Sequence, residues 1–206
     1  MIHFALLLIL AQLAAAPQTT TPLQILDVGL YGAAQLPTPL LTSDWIALCP
    51  SGAAADLRLT QIRARPFFDE VGYDKPGQQS GRDVQATACP TPHLLLRGPA
   101  FSPGPVASAL LQPSGFVWRG TRYRLDNASD PRRLWLRYGT RRVLLLRSDT
   151  DLEFRLRWAG DLDRDGALDL VLEEKYDATL VHLFLSRHKR KSKTWEPALT
   201  TFHGGC

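Results

Sequence analysis

Short runs of alternating apolar and polar residues, separated by turn-forming residues, recur along the second half of this chain. From Gly115 onward about seven such runs follow one another, with glycine or other turn residues between several of them. Successive side chains of a strand point to opposite faces, so this two-residue period predicts strands rather than helices. The 15 prolines and 15 glycines, scattered among short apolar runs, oppose long helices elsewhere. We therefore predict an all-β or β-rich fold, most simply an antiparallel meander.

The residues before this region give weaker signals. Residues 56–62 and 93–97 are apolar enough to predict short strands, and residues 67–83 are polar and Gly-rich, which indicates a loop. Residues 99–113 are rich in proline and glycine and predict a connection. Within that connection we expect residues 106–111 to form one helical turn.

Four carboxylates in residues 160–172 have the spacing of a cation-binding loop. Asp161, Asp163 and Asp165 alternate with other residues, and Gly166 follows where the backbone must bend sharply. Asp169 comes four residues after Asp165. Carboxylates this close repel one another strongly unless a cation is bound. The pattern predicts a calcium loop, and the alternative is a solvated acidic turn without metal.

The residues around this loop distinguish between two kinds of calcium site. An EF-hand needs a bidentate glutamate at position twelve, where this chain has Leu172, and it lies between helices. Here Phe154, Leu156 and Trp158 are expected to share one face of a strand, and alternation resumes after the loop. With this strand-loop-strand setting, residues 158–186 resemble an FG-GAP or VCBS-type repeat, the unit that forms the blades of integrin-like propellers.

The resemblance implies calcium ligation by four side chains and one backbone carbonyl. The side chains are those of Asp161, Asp163, Asp165 and Asp169, and the carbonyl is that of Ala167. The resemblance covers about 30 residues and does not extend to the remainder of the chain. Such repeats normally occur in arrays, whereas this chain has a single loop of this kind and no internal period. We therefore expect neither a complete propeller nor the adhesive role of that family.

The N-terminal residues predict export. Residues 2–16 are apolar and end in three alanines before Pro17, which is typical of a signal peptide covering residues 1–16. The stretch is shorter than the roughly 20 residues of a membrane span, and the alternative is an uncleaved buried helix. Residues 17–42 are expected to be an extended or poorly ordered lead-in to one β-rich domain, residues 43–206. No later segment is apolar enough to span a bilayer, so we expect a secreted or periplasmic protein.

Cysteine usage agrees with export. Cys49 and Cys89 each precede a proline, and in an oxidising compartment we expect them to form a disulfide. The alternative is two unrelated buried thiols. Cys206 is left over near the end of the chain.

Charge is distributed unevenly, although the net charge is only +4. Residues 119–147 contain nine arginines and two aspartates, while residues 149–177 contain ten acidic residues. We expect the arginines to neutralise the neighbouring acidic strands in part, and the alternative is a polyanion-binding surface. A basic tail, residues 187–206, contains the predicted surface-binding residues, which are Lys189, Arg190, Lys191 and Lys193. The expected partners are anionic envelope components or another protein, and not nucleic acid.

No known catalytic motif is present in the sequence. The nucleophile elbow, the HExxH zinc motif, the phosphate-binding loop and the dinucleotide fingerprint are all missing. We therefore expect an exported, non-enzymatic, calcium-binding protein with a binding or structural role in the envelope or the medium. The alternative is an exported, calcium-stabilised hydrolase of a glycan or another envelope polymer, with catalytic carboxylates such as Asp69, Glu70 and Asp74.

Overall fold

The structure is a computed structural model that describes residues 22–32, 35–68, 79–112, 114–151, 153–175, 178–188 and 194–203. These residues form 17 β-strands and one short 3₁₀ turn. The all-β, antiparallel prediction is confirmed. The strands are β1 (Gln24–Leu26), β2 (Gly29–Gly32), β3 (Trp45–Ser51), β4 (Ala54–Thr60), β5 (Ile62–Phe67), β6 (Gly81–Ala86), β7 (Leu94–Arg97), β8 (Gly104–Ser108), β9 (Leu110–Gln112), β10 (Gly115–Trp118), β11 (Thr121–Asp126), β12 (Arg133–Tyr138), β13 (Arg141–Arg147), β14 (Glu153–Asp161), β15 (Asp169–Lys175), β16 (Thr179–Phe184) and β17 (Leu199–His203), and the 3₁₀ turn is Ser186–His188.

Nine strands form one large antiparallel sheet. Their order is β1, β7, β3, β4, β8, β14, β15, β16 and β17. The edge strands β1 and β17 lie beside each other without forming a ladder, so the sheet is a nearly closed barrel. Closure of this kind leaves little free strand edge.

Two smaller sheets pack against the outside of this barrel. The five-stranded sheet has the order β13, β12, β11, β10, β9, and the three-stranded sheet has the order β2, β6, β5. The strands after Gly115 are therefore divided between two sheets, with β10 to β13 in one and β14 to β17 in the barrel. Each local hairpin follows the predicted pattern, around Gly120 and around Gly139.

Three apolar clusters connect these layers. One lies inside the barrel and includes Leu48, Leu57 and Val171. The second lies between the barrel and the five-stranded sheet and includes Leu170. The third lies between the barrel and the three-stranded sheet and includes Trp45. Because both faces of β15 are covered, its apolar residues continue on both sides of the strand instead of alternating with exposed polar residues.

A bulge in β14 changes which face its side chains take. The register shifts between Leu156 and Trp158, which leaves Arg157 as an extra residue. Phe154 and Leu156 pack toward the five-stranded sheet, whereas Trp158 packs into the barrel interior. The prediction that these three apolar residues share one face is therefore wrong for Trp158, because the extra residue shifts the alternation by one position.

Three segments before Gly115 differ from expectation. Of the predicted loop of residues 67–83, Phe67 belongs to β5 and residues 81–83 belong to β6. Within the predicted lead-in of residues 17–42, β1 and β2 are paired strands with buried Ile25, Leu26 and Tyr31, so the folded core begins before residue 43. Residues 106–108 belong to β8, and Leu110 and Leu111 belong to β9, so the predicted helical turn is wrong. In the lead-in and at these residues the apolar runs are too short to show a period, and pairing with other strands decides the conformation.

The predicted disulfide between Cys49 and Cys89 is confirmed. Their Cα atoms are 6.1 Å apart and the two residues are separated by 40 positions. Cys49 lies on β3 in the cluster under the three-stranded sheet, and Cys89 packs against the same cluster. The bond therefore connects the barrel to the segment that follows β6. Cys206 lies outside the described residues.

The extra residue of β14 forms a buried ion pair with the chain between β1 and β2. The Arg157 guanidinium donates to both oxygens of Asp27, at 2.5 and 3.1 Å. Only 11% of the Arg157 side chain and 3% of the Asp27 side chain are exposed. The Asp27 backbone is held in turn by Tyr31, whose hydroxyl accepts its N–H at 2.8 Å and donates to its carbonyl at 3.0 Å. This network fixes β1 and β2 against β14.

Tyr31→Phe is expected to lower the free energy of unfolding by about 1 to 2 kcal/mol near neutral pH, because two hydrogen bonds to the Asp27 backbone are lost. Burial raises the pKa of Tyr31 to about 12, whereas an unfolded tyrosine has a pKa of about 10. The unfolded chain therefore loses this proton first, and stability falls as the pH rises from about 10 to about 12. Urea unfolding at several alkaline pH values should show a shallower fall for the variant. Parallel pH profiles would contradict the expectation.

Candidate metal centre

The acidic loop joins two neighbouring strands of the barrel, as predicted. β14 ends at Asp161, β15 begins at Asp169, and Gly160 pairs directly with Asp169 in the antiparallel ladder. The first and last acidic residues of the motif are thereby brought close together across the ladder. Gly166 has a φ of 86°, a left-handed conformation that glycine adopts without strain. The expected sharp bend is present at that residue.

The tip of this loop is attached to the chain around the start of β8. Arg164, which has a φ of 59°, donates to the Ser102 hydroxyl and to the carbonyl oxygens of Pro103 and Pro105, the latter two at 3.1 and 3.4 Å. Positive φ is uncommon for arginine, so these bonds help to hold the loop in its conformation.

Three of the predicted ligands come together. Asp161, Asp163 and Asp169 each offer one carboxylate oxygen, and these oxygens all lie within 4.8 Å of one another. Asp169 is fully buried, and the side chains of Asp161 and Asp163 are 9% and 4% exposed. Three buried carboxylates in this arrangement could hold a metal ion.

Two oxygens of this cluster have no hydrogen-bond partner within the described residues. Oδ1 of Asp161 and Oδ1 of Asp163 are both buried and unpartnered. Their second oxygens are engaged, since Oδ2 of Asp161 accepts the Gly166 N–H at 3.0 Å. Oδ2 of Asp163 lies 3.5 Å from the Arg187 guanidinium. A buried carboxylate oxygen without a partner is unfavourable, and a cation between the two would satisfy both.

Two backbone amides hold the Asp169 carboxylate in place at the buried end of the site. Its two oxygens accept the backbone N–H groups of Leu162 and Ser186, each at 2.7 Å. Burial raises the pKa of Asp169 to about 7, against the effect of these two hydrogen bonds. Burial, with repulsion from Asp165, also raises the pKa of Asp163. Both shifts express the unfavourable energy of ionised carboxylates here, which a bound cation would offset.

Asp165 lies outside this group of three. Its Oδ1 accepts the Ala167 N–H at 2.8 Å, and its Oδ2 accepts the Ser186 hydroxyl at 2.5 Å. Its carboxylate is thus used to close the loop onto the 3₁₀ turn. Ligation by Asp165 and by the Ala167 carbonyl stays a prediction.

Sequence reasoning did not identify three further residues at the site. Arg119 lies 3.8 Å from Asp161, Arg187 lies near Asp163, and Ser186 bridges Asp165 and Asp169. The side chains of Arg119 and Arg187 are 61% and 42% exposed, so their attraction for the carboxylates is screened by solvent. Local spacing offers no signal for these residues, because distant strands bring them to the loop.

Several predicted features fall outside the described residues. These are the signal peptide of residues 1–16, the tail residues Lys189, Arg190, Lys191 and Lys193, and the three candidate hydrolase carboxylates at positions 69, 70 and 74. The described residues contain no helix with the length and apolar character that crossing a bilayer would require.

All the donors at the three-aspartate site are oxygens, which suits hard cations rather than zinc or copper. The arrangement can bind and orient a cation and can couple its binding to the conformation of the loop. Comparison with known proteins adds no family: no family model, no curated protein and no solved structure matches this chain.

Proposed function

We propose that this is an exported calcium-binding protein with a binding or structural role, rather than a catalytic one, in the cell envelope or the medium. The observation that carries the proposal is the group of three carboxylates of Asp161, Asp163 and Asp169, each with an oxygen within 4.8 Å of the others, in which two buried oxygens have no hydrogen-bond partner among the described residues. Calcium is the cation proposed because it accepts six to eight oxygen ligands in flexible geometry.

The remaining ligands follow from the resemblance to FG-GAP or VCBS-type repeats. It implies that Asp165 and the Ala167 carbonyl also bind calcium, and Asp165 would then give up one of its present hydrogen bonds. Water is the expected source of any further oxygen. The same resemblance favours calcium over magnesium, which demands near-ideal octahedral geometry.

The proposed role of calcium is to hold the loop in one conformation. The loop connects β14 to β15, contacts the 3₁₀ turn through Ser186, and is tied to the start of β8 through Arg164. Neutralising the buried carboxylates would therefore stabilise three parts of the barrel at once. The disulfide between Cys49 and Cys89 supports export, since such bonds persist mainly in oxidising compartments.

Calcium at millimolar concentration is expected to raise the free energy of unfolding by about 1 to 2 kcal/mol. Extracellular calcium modules bind with dissociation constants of about 10⁻⁴ to 10⁻³ M, and mass action then gives this gain. Asp163→Ala should abolish the gain and leave the metal-free protein folded, because it removes one of the repelling carboxylates. The measurement is thermal and urea unfolding in chelator and in calcium.

Asp149→Ala is the matched control, since this exposed aspartate lies outside the cluster. The control should retain the full response to calcium. Unfolding of the wild type that is unchanged between chelator and several millimolar calcium would rule out the proposed site. A larger gain from magnesium than from calcium would reject the assigned ion.

A further inference from the structure

The outer face of the five-stranded sheet carries a concentration of arginine. Along β11 to β13 the inward residues, such as Leu136 and Val143, pack toward the barrel, so the alternate residues point outward. Six of these outward residues are arginines, and we call them the arginine face. Its members are Arg122, Arg124, Arg133, Arg137, Arg142 and Arg147, and all are exposed.

Several of these arginines lie directly opposite one another on neighbouring strands. Arg124 pairs in register with Arg137, and Arg137 pairs in register with Arg142, so three arginines form a row across three strands. Arg133 is likewise opposite Arg147. Opposite side chains have Cβ atoms only about 4.5 to 5.5 Å apart, and like charges in these positions are destabilising. The arrangement is unfavourable for the sheet alone and becomes favourable when an anion lies between the guanidinium groups.

The acidic strands nearby do not neutralise this face. Within the described residues, only two ion pairs join residues 119–147 to residues 149–177, and they involve Arg119 and Arg132, which are not on the face. Arg137 pairs with Asp126 at 2.6 Å, and Arg133 pairs with Asp130 at 3.1 Å.

Arg124, Arg142 and Arg147 form no ion pair with any described residue. The partial neutralisation expected from the sequence is therefore restricted to a few pairs, and most of the face keeps its positive charge.

The chemistry of the face indicates what kind of anion fits. Residues 119–147 contain nine arginines and no lysine. Guanidinium groups form paired, planar hydrogen bonds with carboxylates and with tetrahedral oxyanions such as phosphate and sulfate, whereas an ammonium group acts as a compact point charge. Arg142 also stacks over the ring of Trp135, at 4.7 Å from its centroid, which holds that guanidinium in place beside an apolar surface.

We propose that the arginine face binds a linear anionic polysaccharide that carries carboxylate or sulfate groups. The row from Arg124 to Arg142 crosses two strand spacings, about 10 Å, and Arg133 lies four residues from Arg137, about 13 Å along β12. This extended pattern fits a chain of repeating charges. A membrane surface fits less well, because none of the exposed large apolar side chains of the described residues lies on β11 to β13. Two of them, Leu110 and Leu111, lie on β9 at the edge of the same sheet.

The test uses the full-length protein with four probes: heparin as a sulfated chain, polygalacturonate as a carboxylated chain, vesicles of anionic phospholipid, and a single-stranded oligonucleotide. The variant is the triple substitution Arg124→Gln, Arg142→Gln and Arg147→Gln. Each basic residue near an anionic surface contributes about a fivefold change in affinity, so we expect a loss on the order of 100-fold at low salt. Binding of the wild type should weaken as salt rises, because these charges are exposed.

The matched control removes three exposed arginines from the three-stranded sheet, by Arg63→Gln, Arg65→Gln and Arg82→Gln. It has the same net charge as the test variant and should bind the polysaccharides within about threefold of the wild type. Circular dichroism and unfolding of all variants separate lost binding from lost folding. Measurements in chelator and in calcium should agree, so failure of the metal site leaves this test intact.

Four outcomes would overturn the proposal. The first is an equal loss of polysaccharide affinity in the test variant and the matched control, and the second is tighter binding to vesicles or oligonucleotide than to both polysaccharides. The third is no polysaccharide binding at low salt. The fourth is loss of binding only when Lys189, Arg190, Lys191 and Lys193 are replaced. The proposal is supported if the matched control still binds both polysaccharides and the test variant has lost this binding.

Discussion

Arg157→Met is expected to lower the free energy of unfolding by about 3 to 5 kcal/mol, the typical effect of leaving one partner of a buried ion pair uncompensated. The Asp27 side chain is 3% exposed and would lose both hydrogen bonds from the guanidinium. The loss should be visible as a lower urea midpoint with little change in the slope, because the surface exposed on unfolding is nearly the same.

Arg155→Met is the matched control on the same strand. Arg155 also contacts an acidic residue, Glu173 at 2.8 Å, but its side chain is 65% exposed. We expect its replacement to lower stability by less than about 1 kcal/mol. The double variant Arg157→Met with Asp27→Leu should recover much of the loss, because the buried charge is removed together with its partner. Equal destabilisation by the two single arginine variants would contradict this account.

Removing the disulfide by Cys49→Ala and Cys89→Ala is expected to lower the free energy of unfolding by about 4 kcal/mol. The bond closes a loop with a sequence separation of 40, and in the chain-entropy model its main effect is to restrict the unfolded chain. Cys49 is also fully buried, so the substitution adds a small loss of packing. The measurement is urea unfolding of the variant beside the wild type, without reductant.

Cys206→Ala provides the control for this experiment and should leave stability within about 0.5 kcal/mol of the wild type. Reducing the wild type should reproduce the behaviour of the double variant. Peptide mapping of the unreduced protein gives an independent check. Recovery of alkylated Cys49 from native protein would be incompatible with the bond.

The metal site shows how far local sequence information extends. Asp161, Asp163 and Asp169 belong to one continuous segment, and their spacing and the glycine bend are set by backbone geometry within a few residues. Such a site can be predicted because its parts are adjacent in the chain. Ser186 and Arg119 could not be predicted as neighbours, because the order of strands in the barrel and the outer sheet brings them there.

The period-two alternation, the glycine turns and the matched cysteines were sufficient to predict an antiparallel β-protein with the Cys49–Cys89 bond. The alternation and the turns are local signals, and the disulfide is a choice among very few cysteine pairs.

The division of the strands after Gly115 between two sheets was decided by tertiary structure, because alternation shows that a face is apolar but not which other face it will cover. Tertiary structure also decided the bulge that turns Arg157 toward Asp27, because these two residues are separated by 130 positions in the sequence. Charge on the arginine face has the same origin: local sequence supplies the arginines, and the register between strands places them opposite one another.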